Sequence, residues 1–142
     1  MSDAKSCACS GAGTLIFACS GAADVGAIAD QAARKLSHEG KGKMFCLAGV
    51  GGRVSGIMAT TNAAQKILAI DGCSLNCVKA CLEQAGITSF AHLQLTDLGM
   101  EKGKSPCDEA KVSQAFAAAC DTLANYKPVS AGRSEGCGCS CK

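Results

Sequence analysis

Four short apolar runs, separated by longer alanine-rich stretches, constrain this chain more than any other feature. The runs Thr14 to Ala18, Lys43 to Leu47, Lys66 to Ile70 and Ala91 to Leu95 each have the length of a buried strand. Between them, Asp24 to Leu36 and Leu75 to Ala85 repeat apolar residues at helical spacing and stop ahead of Gly40 and at Gly86. Pro106 to Leu123 reads as a last helix, with Ser105 as its cap and Pro106 in its first turn, and Arg53 to Ala64 reads as a helix interrupted by Gly56. Strands that alternate with helices form βα units, and these pack as a parallel sheet covered on both faces. The pattern therefore predicts an α/β fold: a single three-layer, Rossmann- or flavodoxin-like domain with a mostly parallel sheet of about four strands.

The chain has 142 residues, 48% of them hydrophobic, which suits one core rather than two. Residues 1–13 and 128–142 are rich in Ser, Gly and Cys and carry no periodicity, so they are expected to be flexible cysteine-bearing tails around a domain at 14–127. Lys and Arg total 14 against 12 Asp and Glu, spread along the chain, and aromatics are 4% with no Trp. Neither a basic footprint nor a base-stacking platform is present, so a nucleic-acid partner is not expected. The apolar run Thr14 to Cys19 is too short for a signal-peptide core or a membrane span, so a cytoplasmic protein without a membrane partner is expected.

Twelve cysteines then become the central question. In a reducing compartment clustered cysteines bind metal or do redox work more often than they form structural disulfides. Cys19 ends the first run, Cys46 lies at the end of the second, and Cys73 follows the third with Cys77 four residues on. The carboxyl ends of parallel strands border the crevice where ligands bind. Strands about 4.8 Å apart can bring sulfurs to the separation of under about 4 Å that a tetrahedral ion with bonds of about 2.3 Å requires. Cys19, Cys46, Cys73 and Cys77 are therefore the candidate metal ligands. Zinc leads because it favours four-sulfur tetrahedral coordination, while copper(I) or an iron-sulfur cluster would accept the same donors.

Cys73 and Cys77 are expected on one face at a helix start, where unpaired amides would help carry thiolate charge. Asp71 is placed to cap that helix or to hydrogen-bond a ligand thiolate. Cys81, with Val78 and Leu82, and Cys120 read as core filler. Cys107, at the opening of the last helix, is either an auxiliary thiol or filler. At the ends stand Cys7 and Cys9, a C-x-C pair, and Cys137, Cys139 and Cys141, a C-x-C-x-C element: further ligands, a second metal site, or carriers of a soft ion. The competing reading is a thiol redox or sulfur-transfer enzyme in which Cys73 attacks and Cys77 resolves. No catalytic residue is assigned, and a metal-binding module used in trafficking, storage or sensing is preferred over an enzyme.

Several signatures fail. The position six residues after Cys19, where a cysteine phosphatase loop needs arginine, holds Val25. Gly49 to Val54 lacks the third glycine of a dinucleotide fingerprint, and Gly99 to Ser105 is one residue short of a P-loop, so both read as turns. His38 and His92 have no partner at ligand spacing and read as structural.

The segments KILAIDGCSLNCVKACLEQAG at 66–86, FACSGA at 17–22 and CLAGVGG at 46–52 resemble the DGC-domain family in order and distance, with Asp71-Gly72-Cys73 as its signature. The resemblance covers about residues 14 to 121. It implies zinc binding by four cysteines, carried over to Cys19, Cys46, Cys73 and Cys77, and brings no established reaction. The cysteine-rich ends fall outside it.

Overall fold

The computed structural model describes residues 13–128. Its element order is β1 (Thr14–Ala18), α1 (Asp24–His38), β2 (Lys43–Met44), α2 (Leu47–Gly51), α3 (Ser55–Asn62), β3 (Lys66–Asp71), α4 (Cys77–Gln84), β4 (Ala91–Gln94), a 3-10 turn (Leu95–Leu98) and α5 (Glu109–Asn125). The four strands form one sheet in the order β2-β1-β3-β4, and every pairing is parallel. The expected α/β fold is present, with a sheet that is wholly parallel.

Alternation along the strands sorts the core into two halves. Ile16, Ala18, Leu68, Ile70, Ala91 and Leu93 face α1 and α5, while Leu15, Phe17, Ile67 and Ala69 face α2 and α4. Both faces are buried because parallel strands need helical crossovers, so the central strands read as continuous apolar runs. Each buried Leu, Ile or Phe contributes roughly 1.5–3 kcal/mol. α1 packs with an alanine stripe, Ala29, Ala32 and Ala33, none of it exposed, which lets its backbone lie close to the sheet.

The differences from expectation fall at element ends. β2 stops at Met44: Phe45 still donates its amide to Ile16 O at 2.9 Å and meets Phe17 edge-on, centroids 6.0 Å apart, and Cys46 already caps the next helix. The glycine-rich stretch after it, expected to be a turn, is the short helix α2, held by buried Val50 and by Gly49, where a Cβ would collide with Ile57. α4 begins at Cys77 instead of Leu75. α5 begins at Glu109 instead of Pro106: its cap is Asp108, which accepts from Lys111 N at 2.8 Å, while buried Ser105 receives Glu101 N at 2.8 Å. The loop 99–105 is bound to the start of α1, where Asp24 accepts from the amides of Gly103 at 2.8 Å and Ser105 at 2.9 Å. Those two amides hold the Asp24 carboxyl below its ordinary range. No helix among the described residues is long and apolar enough to cross a membrane.

Candidate metal centre

Because all four strands run the same way, the loops that follow them share one edge. Cys19 is the first residue beyond β1, and its amide donates to Ile70 O at 3.1 Å, which ties it to the end of β3. Ser20 then adopts φ 41°, a conformation L-residues rarely take, and its hydroxyl donates to Asp30 Oδ1 at 2.7 Å. Asp30 also pairs with Arg34 Nε at 2.7 Å. Burial pushes the Asp30 carboxyl up, and the hydrogen bonds from Arg34 and Ser20 outweigh it, so the net shift is downward.

Cys46 lies two residues beyond β2 and caps α2, its sulfur accepting from Gly49 N at 3.4 Å. It is exposed.

The third loop is built most tightly. Asp71, the last residue of β3, is 1% exposed and accepts from Val78 N at 2.8 Å, Lys79 N at 3.2 Å and, at 2.8 Å, His92 Nε2. It thereby caps α4 from six residues before the helix begins, a task the local cap residue Asn76 leaves undone. Gly72 presses on α1: a Cβ there would stand 2.8 Å from both C and O of Val25. Only glycine permits that approach. Cys73 follows in a turn closed by Asn76 N donating to Cys73 O at 3.2 Å, Asn76 is left-handed at φ 52°, and Cys77 opens α4.

Two expectations are corrected here. The four-residue step from Cys73 to Cys77 spans this turn and not a helical turn, so helix periodicity does not place the two side chains on one face. The first amides of α4 are not left unpaired as the sequence suggests, because those of Val78 and Lys79 are bound by Asp71.

Cys19, Cys46 and Cys81 line one open cavity of about 820 Å³, together with Asp30 and Arg34, while Cys73 and Cys77 do not line it. Cys81, expected in the core, is partly buried and turns its sulfur to within 3.9 Å of Leu47 O. Burial raises its thiol pKa, opposed by the nearby Arg53 charge. All seven cysteines of the described residues are free thiols. Among the described residues, no three His, Cys, Asp or Glu side chains stand close enough to hold a metal ion as arranged. The sulfurs of Cys19, Cys46, Cys73 and Cys77 are soft donors, and as arranged they do not converge.

Cys107 is exposed in the loop before α5, off the cavity wall, and Cys120 is partly buried on α5. Cys7, Cys9, Cys137, Cys139 and Cys141 lie outside the described residues. His92, read as structural, holds Asp71 through its Nε2 at 2.8 Å, a pairing that ligand spacing in the sequence does not show. Strand register was the missing signal: β3 and β4 pair Ala69 with His92, which puts His92 and Asp71 on one face of the sheet.

The DGC domain pattern matches residues 15–119. The chain belongs to the DGC-domain family. A relative from Pseudomonas aeruginosa PAO1, named anaerobic and virulence modulator AnvM, is 39% identical over 88 residues, 62% of this chain and 67% of the relative. No solved structure matches the chain. The signature Asp-Gly-Cys of the DGC domain now has a physical account. Its aspartate caps α4, its glycine admits α1, and its cysteine is delivered to the carboxyl edge.

Proposed function

We propose that this DGC domain is a metal-binding module whose Cys19, Cys46, Cys73 and Cys77 close around one soft ion, zinc first among candidates. The observation that carries the reading is topological. Four free thiols follow the carboxyl ends of three adjacent strands, and the loop that brings two of them is clamped at Asp71 and Gly72. A bound soft cation would supply charge neutralisation to four thiolates and a cross-link between three loops. The chain's part is to hold the loop roots rigid, so that closure costs only the movement of their tips.

A sensing or regulatory use is favoured over catalysis, and two points support it. The relative is named as a modulator. The amides of Val78 and Lys79, which an attacking thiolate at the start of α4 would borrow, are already occupied by Asp71.

The test is elemental analysis of full-length protein purified without oxygen, beside a variant with Cys19, Cys46, Cys73 and Cys77 all replaced by Ser. A zinc (or copper) ion held by the native chain through these thiols and lost in the variant is the expected result. If the variant keeps all of the native metal, or if metal-free native protein folds, takes up neither ion and is alkylated selectively at Cys73, the proposal is wrong and thiol chemistry replaces it.

A further inference from the structure

Read in the sequence as core filler, Cys81 is the third thiol on the wall of the cavity that Cys19 and Cys46 share. The sheet sorts the cysteines by face. Cys73 packs against the cluster beneath α1 and α5, Cys81 against the cluster beneath α2 and α4, and Cys19, just beyond the central strand β1, against both. Cys46 caps α2 and Cys77 opens α4, so both stand on elements of the Cys81 side. Of Cys19, Cys46, Cys73 and Cys77, Cys73 is the one packed solely against the α1 and α5 cluster.

Spacing along α4 points the same way. The helix is continuous over Cys77–Gln84, so the step from Cys77 to Cys81 is a helical turn that puts both side chains on one face, as the step from Cys73 to Cys77 does not. Cβ atoms at that step stand about 5–6 Å apart, and helices chelate zinc through side chains at the same spacing. The Cys81 sulfur is also uncommitted. Its contact with Leu47 O is long, at 3.9 Å, and an added Cβ at Gly51, on the cavity wall, would meet Cys81 Sγ at 3.6 Å and nothing nearer than 4 Å otherwise. The glycine leaves that sulfur bare.

Resting on the metal-binding reading above, and revising its ligand set, we propose that Cys81 is a metal ligand: Cys19, Cys46, Cys77 and Cys81 form the four-sulfur shell, and Cys73 is the spare thiol. No three of these donors converge as arranged, so either shell needs movement. The shell with Cys81 gathers sulfurs from one face of the sheet and from the end of β1. The shell with Cys73 has to join donors packed on opposite faces. A tetrahedral zinc ion, with sulfurs under about 4 Å apart, is reached by the smaller movement in the first.

The test uses full-length protein equilibrated anaerobically with zinc(II) and read by bound metal per chain. Cys73→Ser should hold as much zinc as the native chain, and Cys73→Ser with Cys81→Ser should hold one ion fewer. Zinc lost in Cys73→Ser alone, or kept undiminished in the double variant, overturns the assignment of Cys81. Should either variant fail to fold, alkylation of the native chain with and without zinc decides the matter. Zinc should slow labelling of Cys81 and leave Cys73 unchanged, and the reverse pattern overturns the proposal. A native chain that takes up no zinc removes the metal-binding reading itself and this assignment with it, whereas zinc that depends on Cys73 and not on Cys81 removes this assignment alone.

Discussion

Replacing Gly72 by alanine should damage the fold through one methyl group. The added Cβ would sit 2.8 Å from the carbonyl carbon and oxygen of Val25 and 3.0 Å from Gly26 N, all backbone of the first turn of α1. Ordinary contacts of this kind lie at 3.4–4 Å and essentially none falls under 3.0 Å, so the loop or the helix must move by about 0.2 to 0.6 Å, and no rotamer change can absorb it. α1 is not free to retreat, because Asp24 is bound to the amides of Gly103 and Ser105 and Val25 is buried. Overpacking of this sort costs about 1–3 kcal/mol. For a chain of 142 residues that lowers the melting midpoint by about 4 °C per kcal/mol.

Gly56→Ala is the matched control. Gly56 lies in α3 with open space where the methyl group would stand, no other atom coming within 4 Å, so alanine there should add roughly 0.5–1 kcal/mol through helix propensity. Urea denaturation under reducing, chelating conditions reads both variants. A Gly72→Ala midpoint equal to wild type, or a Gly56→Ala loss of similar size, would refute the close-approach argument.

Three further outcomes are expected. Asp71→Ala strips the acceptor from two α4 amides and from His92, and should cost about 2–3 kcal/mol in urea denaturation, with His92→Ala costing less. Asn76→Gly should leave metal-free stability unchanged or raise it by up to about 1 kcal/mol on the same assay, since it removes a left-handed non-glycine residue. It also removes the one buried side-chain oxygen among the described residues that lacks a partner. Asp24 has its pKa lowered by the Gly103 and Ser105 amides, so its contribution is present above the unfolded carboxylate value of about 3.9 and is lost as pH falls through the folded value. Asp24→Asn should therefore flatten the acid limb of a melting-temperature profile below about pH 4, where the wild type falls.

Fold and site are legible in the sequence to different depths. β1 can be read to the residue and β3 to within one, since buried central strands must be short and apolar on both faces. β2 reads three residues too long because Phe45, Cys46 and Leu47 continue the apolar run while the backbone turns into α2. α5 reads as starting too early because Pro106 suits a first turn in general, whereas here Ser105 is committed to Glu101 and Asp108 makes the cap. Strand ends place Cys19, Cys46 and Cys73 at one edge from sequence alone. The bond between Asp71 and His92, and the turn of Cys81 toward the cavity, depend on register and on packing between elements far apart in the chain.

The two-residue edge strand β2 sets how copies of this chain can meet. Lys43 and Met44 give an incoming strand almost no ladder to extend, and Lys43 places a charge where a second sheet would have to dock. Through that edge, fibre-like growth by strand addition has no template. At that edge, association of copies would fall to side chains, the exposed thiol of Cys46 in the loop beyond β2 among them, and sulfur links of that kind are reversed by reductants.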